Sequence, residues 1–290
     1  MTFCRSLQQS HCRSGLNVVS LSVAFALLMS FLIVNAHAQK PNSLAFEDEF
    51  NGTANSSIDP WKWISEVGGT GWGNQELEYY TNSLSSAFVN GSGSLVIKAE
   101  RVTAPLSFDC WYGPCKYSSA RLKTKGKFDI KYGRFEARIK LPRGEGVWPA
   151  FWLLGDNVDQ VGWPQCGEID IMENIGREPS TVHGTIHGPR YSGSKGVGGS
   201  FTLPRNAPFA DDFHVFAVEW SDARIRWYVD GKDYYAIEPK DLPAGANWVF
   251  DHPFFVILNF AVGGAWPGSP NEKTVFPQTM SIDYVRVYRQ

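Results

Sequence analysis

Short runs in which apolar and polar residues alternate, or in which apolar residues cluster, recur along the chain and stop at Gly, Pro, Asn or Asp. They span residues 88–100, 134–141, 148–154, 168–175, 213–220, 225–235, 254–261 and 280–288. None holds a 3.6-residue period, so each predicts a strand or hairpin and not a helix. Asp230-Gly231 separates Ile225-Arg226-Trp227-Tyr228-Val229 from Lys232-Asp233-Tyr234-Tyr235, the composition of a two-residue hairpin turn. Many strands with no helical pattern between them predict an all-β chain. The expected architecture is a β-jelly-roll sandwich of two curved antiparallel sheets, with a concave face able to form a cleft.

The start of the chain departs from this pattern. Arg5 and Arg13 precede an apolar run from Val18 to Val34, then Ala36-His37-Ala38, with no acid before them. This is the layout of a secretory signal over residues 1–38 cleaved near Ala38, leaving residues 39–290 as one catalytic-sized domain. The apolar run approaches, without reaching, a membrane span of about 20 residues, and an uncleaved anchor is the lesser alternative. A secreted or extracellular protein is expected, periplasmic in a Gram-negative cell, without stable membrane association. Loss of the two arginines would take the formal charge from −2 to −4, which gives no reason to expect a nucleic-acid partner. No linker or repeat interrupts the rest, and a monomer is expected.

Of the five cysteines, Cys4 and Cys12 would leave with the signal. Cys110 and Cys115 flank Trp-Tyr-Gly-Pro and suit a local disulfide in an oxidising compartment. Cys166 is then left as a buried free thiol.

The run GEIDIMENIG carries the candidate chemistry. Glu168, Asp170 and Glu173 crowd a segment whose apolar residues mark a strand, where carboxylates are uncommon. A solvated acidic face would explain Glu168 and Asp170, which share a face by period two. Glu173 does not fit that period unless the strand has one extra residue, a β-bulge near Ile171 or Met172. On a straight strand the outer two acids would stand roughly 13 to 17 Å apart at about 3.4 Å per residue. A curved, bulged strand would bring them within the range in which paired carboxyls cleave glycosidic bonds.

Eleven tryptophans accompany this segment, and Trp72, Trp148, Trp163 and Trp266 lie beside Gly or Pro, where a core side chain is less expected. Aromatic faces pack against sugar C–H bonds as well as they bury in a core. Trp163, five residues before Glu168, and Trp148 and Trp152 on the preceding strand are the ones assigned to the cleft. His183 and His187 would share a strand face, but HExxH is absent, and a polar cleft histidine suits the pattern better than zinc.

The blocks GVWPAFWLL and GEIDIMEN resemble glycoside hydrolase family 16, in its laminarinase-like branch of endo-1,3-β-glucanases. The resemblance extends through FEDEF, WGNQEL, VHGTIHG, NFAVGGAWPG and MSIDYVRVY, nearly the whole of residues 39–290. It implies a β-jelly-roll and a retaining double displacement on β-1,3-glucan, with no cofactor needed for catalysis. Glu168 would be the nucleophile, Glu173 the acid and then base, and Asp170 the residue that tunes both. It also implies sugar contacts from Trp163, Trp148, Trp152, His187, Asn74, Arg121 and Trp266. A structural Ca2+ is implied at Glu49, Gly93 and Asp283, the first two through main-chain carbonyls. The longer E-x-D-x-x-E spacing sets the chain apart from branches acting on mixed-linkage glucan and xyloglucan, but is shared with galactan-cleaving branches. A noncatalytic β-glucan recognition protein, a transglycosylase and a galactan hydrolase remain the alternatives.

Overall fold

Alternation becomes sheet throughout residues 43–103 and 108–290, the part of the chain that the computed structural model describes. The signal expected over residues 1–38, with its Ala38 cleavage site, lies outside the described residues. In chain order the first strands are β1 (Leu44–Asp48), β2 (Ile64–Glu66), β3 (Glu78–Tyr80), β4 (Ala87–Val89), β5 (Leu95–Arg101), β6 (Asp109–Cys110), β7 (Gly113–Pro114), β8 (Tyr117–Ser119) and β9 (Arg121–Lys123). They are followed by β10 (Gly133–Lys140), β11 (Val147–Gly155), β12 (Glu168–Glu173), β13 (Thr181–His187), β14 (Val197–Thr202), β15 (His214–Trp220), β16 (Ile225–Val229), β17 (Lys232–Ile237), β18 (Phe254–Val262) and β19 (Gln278–Tyr288). The one α-helix among the described residues is a four-residue turn, Val158–Val161. None of their helices is long and apolar enough to cross a membrane.

Two sheets face each other as a jelly-roll sandwich. One runs β14-β13-β12-β11-β18-β9-β2, and the other β17-β16-β15-β10-β19-β5-β8-β3, with β1 and β4 pairing onto β19 and β5. Every ladder is antiparallel except the short β3–β8 pair. The core between the sheets takes alternate residues from each strand, including Phe135, Phe151, Leu153, Ile169, Phe216, Trp220, Trp227, Phe254, Val256 and Leu258. All nine residues of β18 are buried, as expected for a strand covered on both faces.

The alternating runs became strands within a residue or two of their expected limits. The run 88–100 instead splits into β4 and β5 around Asn90-Gly91-Ser92-Gly93, where the Asn90 side chain accepts the Ser92 N–H at 2.8 Å and both glycines have positive φ. At the expected hairpin, Asp230 and Gly231 have φ of 50° and 75°, the left-handed pair that a tight turn matched to strand twist requires. Cys110 and Cys115 form the disulfide, and Cys166 is a buried free thiol.

Candidate active site

The three acids are gathered by a bulge at the expected place. Toward β11 the register passes from Met172 opposite Phe151 to Asp170 opposite Trp152, skipping Ile171. Toward β13 it passes from Asp170 opposite Thr185 to Glu173 opposite His183. The extra residue turns Glu173 onto the face already occupied by Glu168 and Asp170 while Ile169, Ile171 and Met172 stay in the core.

The bulge breaks the ladder, and a donor from the other sheet reaches it. Trp227 of β16, fully buried, donates its indole N–H to the main-chain oxygen of Asp170 at 2.7 Å. Gly184, across from the bulge, makes this possible. A Cβ there would lie 2.4 Å from the Trp227 ring and 2.5 Å from the Tyr234 hydroxyl.

Each outer acid also has its own indole donor. Trp163 Nε1 donates to Glu168 Oε2 at 2.9 Å, and Trp148 Nε1 donates to Glu173 Oε1 at 3.1 Å. His187 Nε2 lies 3.1 Å from Asp170 Oδ2 and 3.7 Å from Glu168 Oε1, close enough for charge but off the line of an aligned hydrogen bond to Oδ2. Burial and the neighbouring Asp170 charge push Glu168 up to about 8, against the opposing pull of His187 and the Trp163 N–H. Burial also pushes Asp170 up to about 8. Glu173 is raised well above the carboxylate range, first by burial and then by the Asp170 charge. Three carboxyls crowded on one face, Asp170 buried between the half-buried Glu168 and Glu173, cannot all ionise, so the site retains protons near neutrality.

The remaining predicted contacts extend outward from these acids. Trp152, beside Asp170 in register, donates its N–H to Asn259 Oδ1 at 2.7 Å. Arg121 lies between the Trp152 and Trp72 rings, 4.8 and 4.7 Å from their centroids, and its Nε is paired with Glu66 at 2.5 Å. Trp266 meets Trp148 edge-on with centroids 5.5 Å apart. The exposed Asn74 ties the WGN turn to the Trp266 loop, its main-chain oxygen accepting the Ala265 N–H at 2.8 Å. His183 does not pair with His187 as a metal site would need: its Nε2 lies 2.9 Å from Glu178 Oε2 and its ring is against Trp266. On the far side of the acids, His183, Thr185, Gly196, Gly198, Gly199 and Ser200 line a polar groove of about 280 Å³.

A carboxyl pair poised on a sheet face with aromatic walls is the chemistry of glycoside cleavage, and residues 74–286 match the family model for glycosyl hydrolases family 16. The chain belongs to that family. It is 44% identical over 255 residues to the "Beta-glucanase" of Rhodothermus marinus, with 85% of each protein covered. The laminarinase catalytic domain from Thermotoga maritima MSB8 superposes with a TM-score of 0.79 at 49% identity, covering 86% of this chain and 98% of that one. The endo-β-1,3-glucanase of Pyrococcus furiosus gives a TM-score of 0.78, also at 49% identity, covering 85% of this chain and 94% of that one.

In this family 16 chain the residues expected to hold Ca2+ converge away from the acids. β1 ends its pairing with β19 at Asp48–Val285, and β5 begins at Ile282–Leu95. Asp283 lies at that seam and is skipped in the β10 register, which frees its main chain from the ladder. Gly93 approaches the same place, a Cβ on it lying 3.8 Å from Asn51 Oδ1. Both carboxylates are engaged by arginines: Glu49 by Arg286 at 2.7 and 2.9 Å, and Asp283 Oδ2 by Arg138 at 2.8 Å. The oxygens left are mainly main-chain carbonyls, a donor type that suits a hard cation.

The site also holds residues that the sequence did not single out. Trp227, Gly184, Asn259, Glu66 and the buried acids Glu76 and Glu78 all touch or support it. Of these only Glu76 and Glu78 carried a readable signal, two acids alternating within GNQELEYY.

Proposed function

We propose that the protein is a secreted endo-1,3-β-glucanase that cleaves internal bonds of laminarin-type glucans with retention of configuration. The observation that carries this reading is the bulge at Ile171, which places Glu168 and Glu173 on one face with a separate indole donor on each.

The assignment of roles follows from those donors. The Trp163 N–H and the nearby His187 favour charge on Glu168, which suits it to attack the anomeric carbon. Trp148 occupies only Oε1 of Glu173, leaving Oε2 to deliver a proton to the departing oxygen. As Glu168 forms its covalent bond it loses its charge, which eases ionisation of Glu173. The same residue then takes a proton from the incoming water. Asp170, between them, raises the pKa of both glutamates by its charge and lies 3.1 Å from His187 Nε2.

A second outcome is open to the same intermediate, transfer to a sugar hydroxyl in place of water, and the groove along β13 and β14 would hold such an acceptor. We further infer a monomer that leaves the cell by its N-terminal signal, a compartment consistent with the Cys110–Cys115 disulfide. A structural Ca2+ held by Glu49, Gly93 and Asp283 would add stability and take no part in the reaction.

The test is a panel of laminarin, curdlan, lichenan, agarose and xyloglucan, read as new reducing ends with product linkage and anomeric configuration by NMR. Early β-anomer from laminarin and curdlan is the expected result. Binding of laminarin without new ends would replace the enzyme with a recognition protein, and early α-anomer would overturn retention.

A further inference from the structure

Beneath the cleft wall formed by Trp72, Arg121 and Trp152 lies a second pair of acids that the reaction does not use. Glu76 is 3% exposed and Glu78 fully buried, and Glu78 is held well above the carboxylate range by burial and by the charge of the adjoining Glu76. Two such neighbours do not both ionise. Glu78 Oε2 accepts the Val262 N–H at 2.6 Å, while its Oε1 has no hydrogen-bond partner. Glu78 is thus the member of the pair that keeps a proton, with its unpartnered Oε1 free to donate to Glu76.

Two further side-chain donors point at the Glu76 carboxylate. Asn74 Nδ2 donates to its Oε1 at 3.1 Å and the Tyr80 hydroxyl to its Oε2 at 2.9 Å. Tyr80 in turn accepts from Asn259 Nδ2 at 3.1 Å, and Asn259 Oδ1 accepts the Trp152 N–H at 2.7 Å. The direction of this chain of bonds is fixed from the Trp152 end: an indole only donates, so Asn259 accepts with Oδ1 and donates with Nδ2, which leaves the Tyr80 hydroxyl to donate to Glu76. The loop closed by the disulfide pins the same stretch of chain, with Trp111 donating to the Glu76 main-chain oxygen at 2.8 Å and the Tyr112 hydroxyl to that of Leu77 at 2.6 Å.

From this geometry we propose that Glu76, held by Glu78, is a positioning residue that orients Asn74 directly and Trp152 through Tyr80 and Asn259, and so sets the wall that receives the sugar beside the acids. Arg121, stacked on Trp152, is oriented by the same chain. The proposal rests on the β-glucan hydrolase reading above, and it assigns Glu76 to substrate binding and not to bond cleavage.

Glu76→Gln keeps the size of the side chain but replaces one accepting oxygen with a donating N–H₂, so one of the donors that Glu76 satisfies loses its acceptor or must turn. It is expected to raise KM for laminarin about tenfold or more while leaving kcat within about threefold, the signature of lost ground-state positioning. Tyr80→Phe breaks the chain one link further on and should do the same, which keeps the test alive if Glu76→Gln does not fold. Glu78→Ala should also raise KM. Glu78→Gln should restore it, since a glutamine can both donate to Glu76 and accept from Val262. A merely structural role would lower thermal stability in all of these and leave KM of the folded protein unchanged. Unchanged KM in folded Glu76→Gln or Tyr80→Phe, or no rescue by Glu78→Gln, overturns the proposal. If instead the wild type releases no ends from laminarin, it is the proposed function that fails.

Discussion

Trp227→Phe tests whether a residue of the opposite sheet holds the catalytic bulge in place. The indole donates to the Asp170 carbonyl at 2.7 Å, and both residues are buried. Removing the donor leaves a buried carbonyl unpaired, a cost of about 1–3 kcal/mol. A smaller ring leaves a gap of roughly 40 Å³, adding about 1 kcal/mol at ~24 cal/mol per Å³. The total of about 2–4 kcal/mol corresponds to a fall in Tm of roughly 5–15 °C for a domain of this size. Freed from its anchor, the bulge shifts the acids, and a displacement of about 1 Å costs on the order of 100-fold in rate. The matched control is Trp220→Phe, an equally buried indole that donates to Phe250 at 3.1 Å in the same core without touching the acids. Thermal unfolding and laminarin kinetics should show similar losses of stability in the two variants, with kcat falling only in Trp227→Phe. If kcat survives in Trp227→Phe, the ladder alone holds the bulge and the reasoning is refuted.

Gly184→Ala should reproduce the effect from the other side, because its Cβ would enter the Trp227 ring at 2.4 Å. A drop in kcat together with Tm is expected, and an alanine variant with wild-type kcat counts against the anchor. Glu168→Gln and Glu173→Gln should each fold and lose orders of magnitude of turnover on laminarin. Only Glu173→Gln should keep a fast first step on an aryl glucoside, whose leaving group needs no proton. Glu168, Asp170 and Glu173 all have folded pKa values raised above their ordinary ones. The native state therefore holds more protons than the unfolded chain, so the stability these groups provide is complete below about pH 4 and is lost as pH rises toward about 8. Tm should fall between pH 5 and pH 8, and Glu173→Gln should flatten that slope and be more stable than wild type at pH 8. Parallel slopes in the two proteins would remove the acids as the cause.

How much of this was legible in the sequence depended on whether a signal was local. The acid triplet was readable because Glu173 breaks a period-two rule within its own strand, and the required bulge fell where the rule placed it. Glu76 and Glu78 carried the same kind of signal, but β3 spans only Glu78–Tyr80 and offers no period to violate. Their significance depends on Asn259, 179 positions from Tyr80 in the chain, and no local pattern records that contact. Trp227 is a further case. Its run reads correctly as half of a hairpin, yet its bond to Asp170 crosses from one sheet to the other. The Ca2+ positions were implied by the resemblance, and the carboxylates of Glu49 and Asp283 prove to be hydrogen-bonded by Arg286 and Arg138.

The use of indoles around the acids has a common physical basis. A bulge that gathers three carboxyls forfeits ladder bonds at the place where position matters most, so the holding must come from side chains. A histidine or lysine donor would titrate with the acids it holds, and a serine or tyrosine could donate or accept as the protonation state changed. An indole N–H donates only and does not titrate in this range. Trp163, Trp148 and Trp227 thus fix Glu168, Glu173 and the Asp170 main chain without entering the proton balance. Protons in the site are left to move among the three carboxyls and the substrate. Exchange among so few groups lets one carboxyl act as nucleophile while another of nearly the same chemistry acts as acid and then as base.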